Sequence, residues 1–282
     1  MSSLLHTYGL WTKHMIRTLF HDRHLIAVVK KPAVLTAPDR TSRPDALSAV
    51  RKFVQSSSEL KSLPWLAPAH RLDYAASGIL LFAKSSKSAR CCMAQQRAMR
   101  KRYLAVVNGS PPSGSGVWSH ILRKTSDTRR ARTVRIISDE RPRPPRPRGH
   151  IDQDAKLEWR VVAQARNLTL MEIHLITGRR HQIRAQCAYE GLPIIGDPLY
   201  GASAYARSSR SSDWKVMNEN EAIALHASNI DMLHPITQNQ LVLSTSVPNL
   251  WTQAFGVALI DMANQRIEEI RAEAAEAKRE WK

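Results

Sequence analysis

With 282 residues, 43% of them hydrophobic, the chain is long enough to bury a sizeable core and too apolar to be disordered. Its 42 Lys and Arg against 24 Asp and Glu leave a net charge of +18, which favours a polyanionic partner, RNA or DNA ahead of an anionic membrane surface. No apolar run approaches the roughly 20 residues that span a bilayer, and Cys91, Cys92 and Cys187 have no metal-ligand spacing, which speaks against a spanning protein, a zinc ribbon and a disulfide scaffold.

The first twenty residues hold Lys13, Arg17, two serines, two histidines and no acid. That composition suits a mitochondrial presequence and equally a plain N-terminal arm, so the mitochondrial matrix and the cytoplasm both stay open as locations. A short apolar strand, 25–29, runs into Lys30-Lys31-Pro32, where proline ends regular pairing. Ser42 and Pro44 fit the start of a helix striped by Leu47, Val50 and Val54, and a polar linker follows over 56–61. Strand 79–83 is next. Ser86 is then a candidate N-cap for a helix whose inner face carries Ala89, Cys92, Met93 and, further on, Met99.

Strand 102–107 places Tyr103, Ala105 and Val107 on one face. Residues 123–148 contain ten Lys or Arg, three acids and four prolines, and read as an extended basic loop, either ordered by RNA or a partner or simply solvated. Ala155, Leu157, Trp159 and Val161 alternate with charged residues, as Thr169, Met171, Ile173 and Leu175 alternate after a turn at Arg166-Asn167, so the two segments predict an antiparallel pair. A helix is predicted over 179–190, ended by Gly191. The Ser-rich stretch 203–220 reads as a surface loop, and 250–282 as one long helix with Phe255, Leu259, Met262 and Ile270 inward. Strands and helices mix without regular alternation, which predicts an α+β fold with a mainly antiparallel sheet flanked by helices and loops.

Four blocks carry chemistry: His70-Arg71-Leu72-Asp73 with Ser77-Gly78-Ile79-Leu80-Leu81; Lys101-Arg102-Tyr103-Leu104-Ala105-Val106-Val107-Asn108-Gly109; Thr177-Gly178-Arg179-Arg180-His181-Gln182-Ile183-Arg184; and Gly196-Asp197-Pro198-Leu199-Tyr200-Gly201. Asp73 alone fits a turn residue or a satisfied ion pair as well as a reactive acid. A carboxylate that attacks a sugar carbon must be ionised though partly desolvated, and a guanidinium within a few ångströms favours that form. Arg184 is available for the task. Tyr103, judged by spacing alone, is most simply a core tyrosine. His70, His181 and His226 have no ligand-like spacing.

In this order the blocks resemble the RluA family of RNA pseudouridine synthases, over about residues 18–247. The resemblance implies the pseudouridine synthase catalytic fold, with Asp73 as nucleophile, Arg184 as its salt-bridge partner, and Tyr103 packed against the target base and assisting proton transfer. It implies that Arg71 helps displace the target nucleotide from its stack, a step that chemistry at a glycosidic bond requires. His70, Lys101, Arg102, Arg179, Arg180, His181 and Gln182 are expected to shape the pocket or touch RNA. Asp197 is expected to order a nearby loop, and His226 and His234 to be structural.

The implied reaction is isomerisation of uridine to pseudouridine, without cofactor or metal. Whether Asp73 adds to C1′ or removes a sugar proton is open. Ala76 stands where the family usually has Thr, and Gln186 where a His is common. The organisation expected is an arm at 1–17, a catalytic domain at 18–248 with a basic insertion at 122–150, and a C-terminal helix at 249–282. The family's optional N-terminal S4 domain is not expected here, since the resemblance already begins near residue 18.

RNA is the expected partner, ribosomal RNA ahead of tRNA, with ribosomal or assembly-factor proteins as further partners through the basic loop and the C-terminal helix. The rival reading is a catalytically silent RNA-binding ribosome-assembly factor that keeps the fold. A DNA-binding module would need a recognition-helix motif, and the sequence has none.

Overall fold

The computed structural model describes residues 15–57, 65–124, 134–137, 151–201 and 212–280. The chain divides into two compact units, one of Met1–Met99, His226–Pro248 and Ile267–Lys282, the other of Arg100–Leu225 and Asn249–Arg266. Each has strands and helices, and antiparallel pairings dominate both, so the class is α+β as expected.

In the first unit β1 (Ile16–His21), β2 (Leu25–Lys30) and β4 (Ser77–Ala83) pair antiparallel in that order. The two-residue β3 (Ala67–Pro68) also pairs with β4. β10 (Leu225–Leu233) joins β4 in parallel, and β11 (Gln240–Ser244) returns antiparallel along β10. Leu25, Ala27, Ile79, Leu81, Ala83, Ile230 and Met232 form the core, with Cys92 and Met99 packed on them. Gly78 makes the parallel contact feasible. Its φ is +117°, and a Cβ there would lie 2.3 Å from the Ala227 carbonyl oxygen.

Helix α1 (Ala46–Ser57) starts later than Ser42 suggested. Asp45 caps it, its Oδ1 accepting from Ser48 N at 2.8 Å, because Leu35 holds residues 44–46 extended through two backbone bonds. Ser56 and Ser57 belong to this helix, whereas linker residues 58–61 lie outside the described residues. α2 (Ser86–Ala94) is capped by Ser85, not Ser86. Cys92 is fully buried there, but Met93 is 69% exposed and does not face inward.

The second unit is an antiparallel sheet in the order β5-β9-β8-β6-β7: β5 (Arg100–Asn108), β9 (Leu168–Leu175), β8 (Asp152–Ala165), β6 (Ser115–Lys124) and β7 (Val134–Ile137). The β8–β9 hairpin turns at Arg166-Asn167 as predicted. Within the supposed basic loop, Val134–Ile137 instead forms a strand against β6, since Val134 and Ile136 give it an apolar face; residues 125–133 and 138–150 lie outside the described residues.

α3 begins at Gln182, not Arg179, and runs to Tyr189. The Ser-rich stretch yields a helix, α4 (Ser212–Glu219), because Trp214 and Met217, three apart, are both buried. The tail is two helices, α5 (Asn249–Phe255) and α6 (Val257–Glu280), separated by Gly256 at φ +82°. Leu259, Ile260, Ala263, Ile267 and Ile270 form its buried stripe, while Met262 is half exposed.

Candidate active site

The loop 71–76 carries Asp73 in the first unit. Two devices fix its path. Ahead of it, Thr36 Oγ1 donates to Leu72 O at 2.9 Å and accepts from Leu72 N at 3.0 Å, so one buried hydroxyl serves both backbone groups. Behind it stands Lys30, the last residue of β2. Its Nζ lies 2.6 Å from Ala76 O, 2.9 Å from Val34 O and Lys31 O, and 3.2 Å from Tyr74 O. An ammonium has three protons, so at least one of these bonds is shared. Burial pulls the Lys30 ammonium down to about 7, and the charge of Asp73 pulls the other way. Ala76, the departure from the family pattern, takes part through its carbonyl, which its side chain does not affect.

His70 is buried, its Nε2 accepting from Leu81 N at 3.3 Å. Arg71 is exposed. Behind the loop, Ser77 Oγ meets His226 Nδ1 at 2.8 Å, and burial drives His226 down to about 4, so it is a neutral structural imidazole. His234 takes a structural place too, bonded to Asp22 Oδ2 at 2.9 Å and accepting from Ile236 N and Thr237 N.

In the second unit, the ladder sets Tyr103 against Ile173 and Ile173 against Trp159, so the three side chains share one sheet face. Helix α3 packs on that face. Gln186 Nε2 donates to Trp118 O and Ala155 O, and Ala185 joins Leu122, Val134 and Ala155 in one apolar cluster. Tyr103 is 6% exposed. Arg102 points to the opposite face, where its guanidinium meets Glu172 at 3.2 Å, alongside Arg160 and Arg266. Lys101 is buried, which lowers its pKa.

Arg184 and its surroundings are held most tightly. Its Nε lies 2.7 Å from Asp197 Oδ2 and its second terminal nitrogen 2.9 Å from Oδ1, a bidentate charge-assisted pair. Asp197 is fully buried and also accepts from Leu199 N and Tyr200 N, so it orders its own turn as expected. The turn places the Tyr200 ring 5.2 Å from the Arg184 guanidinium carbon. His181, at φ +51°, precedes the helix in a strained left-handed conformation. Gln182 is buried and internal, bonded to Thr177, Arg179 N and Lys156 O. Arg179 donates to Asp154 O, and both Arg179 and Arg180 are exposed.

Sequence reasoning overlooked Lys30 and Tyr200. Lys30 sat in a Lys-Pro turn without an assigned role, and Tyr200 closed a block read for its aspartate alone.

Residues 24–189 match the family model for RNA pseudouridylate synthase. The chain belongs to this family. The ribosomal large subunit pseudouridine synthase D of Xanthomonas campestris pv. campestris is 30% identical over 237 residues, covering 83% of this chain; the chain spans 66% of that relative's length. The tRNA pseudouridine synthase C of Vibrio parahaemolyticus is 26% identical, over 85% of this chain and 94% of that protein. Among solved structures, human RNA pseudouridylate synthase domain containing 4 superposes with a TM-score of 0.67 at 18% identity, covering 89% of this chain and 96% of the human one, and shares the fold. Of the three residues the resemblance singles out, Asp73 lies in the first unit and Tyr103 and Arg184 lie in the second.

Proposed function

We propose that this protein isomerises uridine to pseudouridine in structured RNA, with ribosomal RNA as substrate and Asp73, Tyr103 and Arg184 as its catalytic residues. In this reading Asp73 acts at the ribose, either by adding to C1′ or by taking a sugar proton. The N1–C1′ bond breaks, the uracil turns over against Tyr103, C5 bonds to C1′, and the C5 proton leaves while N1 regains one. Every atom and electron is conserved, so the reaction calls for no redox partner and no group donor. Arg184, its plane fixed by Asp197 and Tyr200, carries the positive charge that the family pattern assigns to the reacting carboxylate, and Arg71, long and exposed, fills the gap left by the extruded nucleotide.

The observation that carries the reading is the Asp73 loop: in a chain of this family, a carboxylate stands on a backbone clamped ahead by Thr36 and behind by a buried ammonium. Several relatives are named for the large ribosomal subunit, which supports ribosomal RNA as substrate, as does the +18 charge. The basic, acid-free first twenty residues support a mitochondrial location, which a fusion of that segment to a fluorescent protein tests by imaging.

The decisive experiment incubates the full chain, wild type and Asp73→Asn, with unmodified transcripts of large-subunit ribosomal RNA and maps pseudouridine by carbodiimide-stop sequencing. Wild type should modify a defined uridine and Asp73→Asn none, with RNA affinity retained. If wild type forms no pseudouridine in any ribosomal RNA or tRNA of its own cell, the assignment is lost.

A further inference from the structure

The hydroxyl of Tyr200 touches two elements that the reaction described above leaves unconnected. It accepts from Val134 N, at the start of β7, at 3.0 Å, and it lies 3.1 Å from His181 Nδ1, at the cap of α3. The oxygen accepts from the Val134 amide, and the hydroxyl donates to the imidazole nitrogen or accepts from it according to the tautomer. The ring of the same residue stacks edge-on against His181, 5.8 Å between centroids, and sits beneath the Arg184 guanidinium. Tyr200 also packs on Leu122, Val134, Ala155 and Ala185, the cluster where the β6–β7 hairpin meets the helix. A single half-buried side chain therefore bonds to the hairpin, the helix cap and the arginine.

The hairpin is suited to hold a polyanion. Arg123 and Arg135 stand directly opposite each other on β6 and β7, where like charges repel. Asp152 neutralises Arg123 through two bonds of 2.8 and 3.1 Å, while Arg135 is exposed. Arg179 is tethered to Asp154 O, and Asp154 is the ladder partner of Ile121, so a third cation is brought to the same end of the sheet. Three arginines beside two carboxylates, Asp152 and Asp154, leave an excess of positive charge suited to the phosphates of an RNA backbone.

We propose that Tyr200 is a positioning residue that joins this phosphate-holding hairpin to the helix bearing Arg184, so that RNA seated on β6–β7 fixes the geometry of the arginine. The inference rests on the proposed pseudouridine synthase reading for the role of Arg184. The ring and the hydroxyl have separable tasks: the ring supports the guanidinium plane, and the hydroxyl ties the hairpin to the cap.

Tyr200→Phe and Tyr200→Leu separate them in the full chain, with an unmodified large-subunit ribosomal RNA transcript as probe. Tyr200→Phe should speed amide exchange at Val134, weaken RNA affinity and raise KM by about two- to tenfold, the worth of one hydrogen bond, and lower kcat by less than Tyr200→Leu does, because the ring still supports the guanidinium. Tyr200→Leu should in addition lower kcat by roughly tenfold or more, since the guanidinium loses its aromatic support. Three results would overturn the proposal: Val134 exchange unchanged in Tyr200→Phe, faster exchange with wild-type RNA affinity, or equal kcat losses in both variants. Should wild type form no pseudouridine, the enzymatic reading fails separately, while exchange and RNA binding still decide whether the hydroxyl is the joint.

Discussion

The loop of Asp73 and the helix start of Arg184, the two segments proposed to carry the chemistry, are rigidified by opposite means. Around Asp73 the protein fixes the backbone: Lys30 and Thr36 bond to main-chain atoms of residues 34, 72, 74 and 76 among others, setting the chain's path. Around Arg184 it fixes the side chain: a buried carboxylate grips the guanidinium at two points and an aromatic ring lies beneath it. The difference follows from geometry. A guanidinium is a planar fork that a single carboxylate can orient, whereas an ammonium is a point charge that gathers carbonyl oxygens from several directions. The first lock is thus a group that can lose its charge near neutral pH, whereas the second holds a guanidinium, which cannot.

The largest effect is expected from breaking the second lock. Asp197→Ala leaves a buried guanidinium without its bidentate partner, which should cost about 3–5 kcal/mol of stability and abolish turnover. Calorimetry and pseudouridine assay together check this; a variant that melts like wild type would show that the pair carries no such weight.

Lys30→Met should behave differently, because the change recovers the desolvation cost of a buried ammonium as it forfeits bonds to carbonyls. Stability near pH 7 should shift by less than about 2 kcal/mol, since the two terms oppose. Activity should nonetheless drop by about tenfold or more, as the Asp73 loop loses its clamp and the facing positive charge. The linkage has a definite sign. Folded, Lys30 gives up its proton above about 7; unfolded, it keeps it to about the usual 10.5, so the unfolded chain binds more protons across that window. Wild type should therefore gain stability relative to Lys30→Met as pH rises from 7 to 10. Parallel pH–stability curves for the two proteins would show that Lys30 is not held near neutrality.

The contrast also explains what the sequence could reveal. Asp73, Tyr103 and Arg184 stand in contiguous blocks, so their types and spacing were legible. The clamp on Asp73 was not, because Lys30 and Ala76 lie 46 positions apart and meet only through the β2–β4 pairing. Asp197, 13 positions from Arg184, was read as a loop former, which it is; that its two oxygens also grip the arginine required the fold. Periodicity gives the angle between residues on a helix but not which side faces the core: Met93 points outward while its neighbour Cys92 is buried, and Met262 is half exposed while Ile260, Ala263 and Ile267 hold the inner side of α6. At α4 the surrounding serines hid an apolar pair, Trp214 and Met217, that was sufficient to bury a helix.

A matched pair of small substitutions sharpens the comparison further. Thr36→Val and Thr177→Val each remove one hydroxyl, the first from the Asp73 loop and the second from the segment leading to Arg184. Thr36 is 5% exposed, and its loss strands both the N–H and the C=O of Leu72 away from water, at a cost of about 1–3 kcal/mol. Thr177 Oγ1 bonds to Lys156 N and Gln182 Oε1 at a partly exposed position where water can replace it, so the cost should stay below about 1 kcal/mol. Activity should follow the same order, because a displaced Leu72 moves its neighbour Asp73, whereas the Asp197 fork and the Tyr200 ring still orient Arg184. Denaturant melts and single-turnover rates on both variants decide it. Equal losses would mean that backbone and side-chain locking are equally tolerant of a missing hydroxyl, and the distinction between the two loops would reduce to burial alone.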